Sequence, residues 1–321
     1  MDRCWKDFLN TNAEYRKMRI GIDLGGTKTE GVVLDSDGKV LLRKRVATQQ
    51  SAGYRAIMNT IAQLVRDLEA EAGAECSIGI GTPGAVSTIT GTMKNSNTAC
   101  LNGQPLQQDL QALLDRPLRI ANDANCFALS EALDGAGKGY GVVFGVIMGT
   151  GVGGGVVFNG QLHPGCQHIS GEWGHNILEL DGPDCYCGQK GCVETLISGP
   201  GLAADFHLHG GDDILVASEV VALATQGDVL AEAVMQRFFC RFGRALAMVV
   251  NILDPDVIVL GGGLSNVDRL YSEGRECVAH YVFNDEFITP VLKNVHGDSS
   301  GVRGAAQLWH GDEIWQKNNK I

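Results

Sequence analysis

The sequence predicts an α/β protein built as two related lobes. Two observations carry this. A strand, a glycine loop, a second strand and a turn occur in succession near residue 20 and again near residue 146, which is weak internal similarity of the kind left by a duplicated unit. Around both copies, short apolar runs alternate with segments of helical periodicity, the pattern of an α/β chain. The 321 residues suffice for one large domain or two lobes, and no low-complexity linker divides them.

The elements follow in order. Arg19–Asp23 alternates and breaks at Leu24-Gly25-Gly26-Thr27; Glu30–Leu34 is a second strand. Asp35-Ser36-Asp37-Gly38 carries the Asp-Gly hairpin signal, and Val40–Ala47 is the third strand. Tyr54–Glu71 sets Ile57, Ile61, Leu64, Val65 and Leu68 on one helical stripe. Ser77–Gly81 is a strand, Leu106–Leu114 a helix, Leu118–Ala121 a short strand and Asn122–Leu133 a helix. The pattern restarts with strand Val142–Met148, glycine loop Gly149–Gly155, strand Val156–Phe158 and a turn at Asn159-Gly160. Helices are expected near Leu196–Phe206, Ala217–Ala224, Val229–Asn251, Val267–Tyr281 and Gly301–Leu308, and strands at Asp256–Leu260 and Pro290–Val295.

Composition narrows the function. Hydrophobic content of 44% with 20% charged residues is that of an ordinary globular chain. A net charge of −11 disfavours nucleic-acid and anionic-membrane partners, and would repel a phosphorylated substrate unless the site carried a cation. No apolar run reaches the length of a membrane span. The ten cysteines form no evenly spaced framework, which points to a reducing cytoplasm. Residues 1–17 lack the apolar core of a signal peptide and read as a leader outside the functional fold.

The segment His175–Glu194 is the most informative. His175, Cys185, Cys187 and Cys192 make a Cys₃His set with C-x-C and C-x₄-C spacing, and Gly188 and Gly191 let the backbone fold around one ion. This predicts a closed structural zinc shell rather than free or disulfide-bonded thiols. With no ligand position left open, the metal fixes a loop and performs no chemistry. Glu172 and Glu194 flank that loop.

Three glycine loops follow strands: Asp23–Lys28, Gly149–Gly155 and Gly261–Ser265. Each alone is ordinary turn chemistry. Together, with the hydroxyls of Thr27 and Thr150, they favour a nucleoside triphosphate, because backbone N–H groups free of Cβ can approach phosphate closely. None is a P-loop, and no G-x-G-x-x-G opens a helix. Asp23 ends a strand beside such a loop, where Mg²⁺ between carboxylate and phosphate is favoured over a plain turn-capping role. Asp123 begins a helix; its carboxylate can serve either as an ordinary N-cap or as the base of a phosphoryl transfer.

Taken together, Ile20–Glu30, Gly79–Gly84, Asn122–Ala132, Ile147–Gly160, Gly171–His175, Cys185–Glu194 and Asp254–Ser265 resemble the ROK family of sugar kinases, from Met18 to Trp309. The resemblance implies an actin/hexokinase-like ATPase (ribonuclease H-like) fold with ATP and sugar in an interlobe cleft. Residues 18–121 with 296–311 would form the small lobe, 122–295 the large lobe with its zinc loop 175–194, and 312–321 a tail. It implies Asp123 as general base. Gly84, Asn97, Asn122, Asp123, Glu172, His175 and Glu194 would bind the sugar. Asp23, Gly25, Gly26, Thr27, Lys28, Thr150, Gly151, Gly262 and Gly263 would bind ATP with Mg²⁺ near Asp23, and a homodimer is implied. Lys94–Asn97, Leu101–Pro105, Glu172–Asn176 and His296–Arg303 look most like the fructokinase (mannokinase) branch, which makes fructose 6-phosphate, with mannose and glucose as further substrates. The N-acetylglucosamine kinase branch comes second. The family's sugar-responsive repressors are disfavoured by the acidic charge and the short leader. A catalytically dead sugar-binding protein is disfavoured by the presence of Asp123.

Overall fold

The computed structural model describes residues 18–310, so the expected leader 1–17 and tail 312–321 lie outside the described residues. The chain divides into two compact units. The described part of the first comprises residues 18–130, 161–169 and 299–310; the second comprises 131–160 and 170–298.

The first unit is organised by a five-stranded sheet. Strands β1 (Arg19–Leu24), β2 (Lys28–Leu34) and β3 (Val40–Ala47) run as an antiparallel meander, and β4 (Ser77–Thr82) and a later strand, Leu118–Asn122, extend β1 in parallel. Helix α1 (Tyr54–Ala72) lays Ile57, Ile61, Leu64, Val65 and Leu68 against Ile20, Ile22, Ile78 and Ile80 of the sheet. Each buried aliphatic side chain of this kind is worth ~1.5–3 kcal/mol of burial. A short hairpin, β5 (Ala85–Val86) with β6 (Met93–Lys94), and helix α2 (Leu106–Leu114) follow, before Leu118–Asn122, here β7.

The second unit repeats the plan. Strands β8 (Val142–Met148) and β9 (Val152–Phe158) form an antiparallel pair, and β10 (Val257–Gly261) and β11 (Val291–Lys293) continue β8 in parallel. The duplication expected from the two glycine-loop motifs is therefore real at the level of strand order: β2–β1–β4–β7 and β9–β8–β10–β11. The core of this unit is built on the long helix Val229–Leu253, whose Phe238, Phe239 and Phe242 are fully buried with Phe144 and Val146 of the sheet. No helix among the described residues is long and apolar enough to cross a membrane.

Four expectations differ from the structure. Helix α3 (Asp123–Asp134) does not begin the second unit; the division falls inside it, after Ser130, not at 121/122. Its first turns pack so closely on helix Ser300–Gln307 of the first unit that a Cβ on Gly304 would lie 1.7 Å from the Cys126 carbonyl oxygen. Its last turn is tied to the second unit, where Glu131 accepts from the amides of Val295 and His296. Gly149–Gly155 is not a loop throughout, because β9 starts at Val152; Gly154 is occluded by Trp173, whose indole N–H donates to Gly153 O at 3.1 Å. The single helix expected at Leu196–Phe206 is two, α4 (Val193–Ile197) and α5 (Gly199–Leu208), because Ser198 breaks the run and caps α5 by accepting from Gly201 N–H. Val267–Tyr281 likewise splits at Ser272 into a 3₁₀ turn and the helix Glu273–Tyr281. The remaining helices are α6 (Ala217–Thr225), α7 (Val229–Leu253), α8 (Glu273–Tyr281) and α9 (Ser300–Gln307).

Candidate active site

In the first unit, β1 delivers Asp23 to the mouth of a tight turn. Gly25 N–H donates to Lys28 O at 3.1 Å, and the Thr48 hydroxyl donates to Gly25 O at 2.6 Å. That clamp leaves Gly26, Thr27 and Lys28 exposed. Gly26 and Thr27 line a cavity of about 690 Å³ together with Ala47, Gln49, Gln50, Ser51, Ala99 and Cys100. The run Gln49–Ser51 was not legible as a site. Its one unusual feature is the left-handed backbone of Gln49, φ 60°, which no glycine announces.

Asp23 lies in register with Glu30 on β2, and Glu30 with Arg45 on β3. Arg45 Nε donates to Glu30 Oε2 at 2.8 Å, and Arg43 pairs with the other carboxylate oxygen at 2.5 Å. Burial pushes the Asp23 carboxyl up to about 7; the negative charges of Asp123 and Glu30 add to this, and Arg45 opposes it. An all-oxygen group of crowded carboxylates is the chemistry that a hard divalent cation relieves.

Asp123 stands where β7 ends and α3 begins. The Ala124 amide donates both to Asp123 Oδ1 at 2.8 Å and to Asn122 Oδ1 at 2.9 Å. The Asp123 side chain is open to solvent yet densely surrounded, and that partial desolvation raises its pKa while the amides of Ala124 and of Asp123 itself lower it. Asn122 Nδ2 donates to Gly84 O at 3.4 Å, so Gly84, Asn122 and Asp123 form one constellation. Gly84 must be glycine: its φ is 80°, and a Cβ there would lie 2.4 Å from Lys94 O. Asn97 is exposed on the turn that follows. Asn102 holds that turn by accepting from Ser96 N–H at 2.9 Å and donating to Ser96 O at 2.8 Å, a supporting role that the sequence reading missed.

In the second unit, the turn Gly149–Gly151 closes with Gly149 N–H donating to Gly151 O at 2.9 Å, leaving Thr150 exposed. The neighbouring parallel strand β10 ends at Gly261, and Gly262, φ 78°, passes so near Met148 that a Cβ would lie 2.4 Å from its carbonyl oxygen. The Gly149–Gly151 and Gly262–Gly263 turns therefore sit side by side at one end of the sheet. Val152 N–H donates to Glu194 Oε2 at 2.9 Å, which joins the first turn to the start of α4.

Glu172 precedes a 3₁₀ turn, Trp173–His175, that brings His175 to the cysteines. The four donor atoms of His175, Cys185, Cys187 and Cys192 lie within 4.8 Å of one another. Two separations are specific: Cys187 Sγ to Cys192 Sγ and Cys185 Sγ to His175 Nδ1 are both 3.6 Å. A tetrahedral ion with ordinary zinc–sulfur and zinc–nitrogen bonds requires edges of about 3.8 and 3.6 Å, so the cluster fits that group. Gly188 and Gly191 have φ 92° and 61°, the conformations the loop needs to turn back on itself. The far side of His175 is also occupied, with Nε2 3.0 Å from the Tyr186 hydroxyl oxygen. The base of the loop is tied to α7, where Arg241 Nε donates to Glu179 at 2.8 Å and Nη1 reaches Asp205 at 3.2 Å.

A family model described as the ROK family matches residues 19–312. N-acetyl-D-glucosamine kinase of Escherichia coli O139:H28 is 40% identical over 301 residues, 91% of this chain and 99% of that protein. The ROK hexokinase of Thermus thermophilus superposes with a TM-score of 0.82 at 32% identity, over 93% of this chain and 99% of that one. A ROK glucokinase of Streptomyces griseus, solved with glucose and AMPPNP, gives 0.76 at 27% identity, over 91% and 98%. The fold is thus the actin/hexokinase-like one.

Proposed function

The chain belongs to the ROK family of sugar kinases, and from that premise we propose that it transfers the γ-phosphoryl group of ATP to a hydroxyl of N-acetyl-D-glucosamine. The observation that carries the choice of sugar is the 40% identity to N-acetyl-D-glucosamine kinase across 99% of that enzyme's length. The local motifs read fructose first and the N-acetylated sugar second; the whole-chain similarity supports taking the N-acetylated sugar first. Fructose, mannose and glucose remain the alternatives that an assay must separate.

Asp123 is assigned the base. It sits at a helix start with one oxygen engaged by the Ala124 amide, which leaves the other to accept a hydroxyl proton. Asn122 and Gly84, joined to each other, and the exposed Asn97 are assigned to sugar hydroxyls. In the second unit the same role falls to Glu172, His175 and Glu194. The exposed Gly26–Lys28 and Thr150 turns, Gly25, Gly151 and the Gly262–Gly263 turn are assigned to ATP. Asp23 would hold Mg²⁺, which supplies charge neutralisation at the phosphates. His175, Cys185, Cys187 and Cys192 would hold zinc, which braces the loop between Glu172 and Glu194.

The test is sugar-dependent ADP release, measured in parallel for N-acetyl-D-glucosamine, N-acetylmannosamine, glucose, mannose and fructose. The proposal expects the highest kcat/KM with N-acetyl-D-glucosamine. A chain that turns over fructose well and the acetamido sugar poorly returns the assignment to the fructokinase branch.

A further inference from the structure

Outside the Cys₃His set, the second unit contains two cysteines, Cys240 and Cys277. Both are free thiols, Cys240 exposed and Cys277 half-buried, and the proposed phosphoryl transfer uses neither. They lie on different helices, Cys240 on α7 and Cys277 on α8.

The two helices run side by side in the same direction, and their side-chain contacts fix the register. Glu232 of α7 meets Arg269, just before α8, at 2.6 Å; one turn on, Gln236 Nε2 donates to Glu273 Oε2 at 2.9 Å. Each pair is 37 positions apart in the chain. A further step of one turn along both helices sets Cys240 opposite Cys277 at the same offset. The packing agrees. Gly243, one turn past Cys240, admits Cys277 so closely that a Cβ on the glycine would lie 2.6 Å from Cys277 Cβ. Burial first, and then the neighbouring Cys240, push the Cys277 thiol up to about 11. The half-buried thiol is therefore protonated at neutral pH, and the exposed Cys240 is the one that an oxidant in solution reaches first.

We propose that Cys240 and Cys277 form a redox-modification site, in which a peroxide converts the facing thiols into a disulfide that clamps α8 to α7. The Cys240 thiolate attacks one peroxide oxygen, the O–O bond breaks, and a sulfenic acid and water form. Cys277 then gives up its proton and attacks the Cys240 sulfur, which releases the sulfenic oxygen as a second water. Two thiols and one hydrogen peroxide become one disulfide and two waters, and the two electrons lost by the sulfurs are those gained by the peroxide. The bond closes the segment that carries the Gly262–Gly263 turn, and it fixes a helix of only nine residues against the longest helix of the unit. A thiol reductant reverses it, as a transient disulfide in a reducing compartment requires.

The experiment titrates the full chain with hydrogen peroxide, beside Cys240→Ser and Cys277→Ser treated in the same way. Each protein is digested without reduction and mapped by mass spectrometry, and thermal melts are recorded before and after treatment. The expected result is a cross-linked Cys240–Cys277 peptide in the wild type, absent from both variants and removed by dithiothreitol. The treated wild type should melt higher than either treated variant by on the order of 5 °C. A map in which Cys240 is a sulfenic or sulfinic acid while Cys277 remains a free thiol overturns the proposal, and so does a disulfide that joins two chains through Cys240. A cross-link that leaves the melting temperature unchanged overturns the clamp. The wild-type map decides the bond even where a variant folds poorly.

Discussion

Val152 N–H donates to Glu194 Oε2 at 2.9 Å. The bond ties the glycine turn that ends β8 to the first turn of α4, directly after the last cysteine of the Cys₃His set. One turn is assigned to phosphate and the other to sugar, so a single hydrogen bond sets the position of one against the other within the unit. It also explains Gly151 in a second way. Besides the phosphate role assigned to it, glycine here leaves space for the carboxylate, since a Cβ would come within 2.5 Å of Glu194 Oε2.

Gly151→Ala is therefore expected to push Glu194 off its position. Misplacing a binding group by about an ångström costs on the order of 10²-fold in rate, so kcat/KM for the sugar should fall by ~10–10²-fold. Initial-rate kinetics with sugar varied at saturating ATP check this. Unchanged sugar kinetics would mean that Glu194 does not touch the substrate.

Asp123 gives a pH prediction whose sign is fixed. A base must be ionised to accept a proton, and crowding raises this carboxyl above its ordinary value of 3.8. The sugar kcat/KM should thus fall as pH drops, with a midpoint raised above the ordinary carboxyl value of 3.8. Asp123→Asn should lower turnover by ~10²–10⁴-fold with sugar affinity retained. The pH–rate profile and calorimetric sugar binding of the two proteins are the measurements.

Cys187 is the exposed member of the Cys₃His set. Cys187→Ser should abolish stoichiometric zinc and loosen the tip of the loop. The Glu179–Arg241 pair should still hold its base, because that contact does not involve the cluster. The expected signature is local: hydrogen exchange accelerates over residues 182–190, α7 stays protected, and kcat/KM falls by about 10²-fold. Full zinc content in the variant would remove Cys187 from the shell.

The parts of the site that could be read in the sequence are those in which one short segment encodes the whole geometry. The cysteine spacing with Gly188 and Gly191 is such a case, and so is Asp123 at a strand-to-helix junction. What could not be read depends on partners that only the folded chain brings together. Glu194 meets Val152 across 42 residues, and Asn102 supports the Asn97 turn only because the chain folds back on Ser96. The boundary inside α3 was hidden for a related reason. Apolar periodicity shows which face of a helix is buried, but not which body each turn packs against. The triple glycine at 153–155 suggested a turn by composition; the packing of Trp173 shows that it is a flat strand surface for an indole.

Arg269 supplies a stability prediction independent of catalysis. Its guanidinium contacts Glu232 at 2.6 and 2.7 Å and Glu273 at 2.5 Å, linking α7 to α8 while lying over the Phe239 ring. Hydrogen bonding to Arg269 holds the Glu232 carboxyl down at about 2, against an ordinary 4.5. A depressed folded-state pKa stabilises the fold at pH values above the unfolded one, and that stabilisation is lost as pH falls. The loss should therefore run from about 4.5 down toward about 2. The pair is more than one-third exposed on the Glu232 side, so solvent screening limits its worth to less than about 1 kcal/mol. Arg269→Met keeps an apolar contact with Phe239 and removes the charge. Above pH 5 the variant should melt slightly below the wild type, and the gap should close as pH falls from 4.5 toward 3. Thermal melts across that range measure it, and a gap that stays constant with pH would show that Arg269 acts by packing and not by charge.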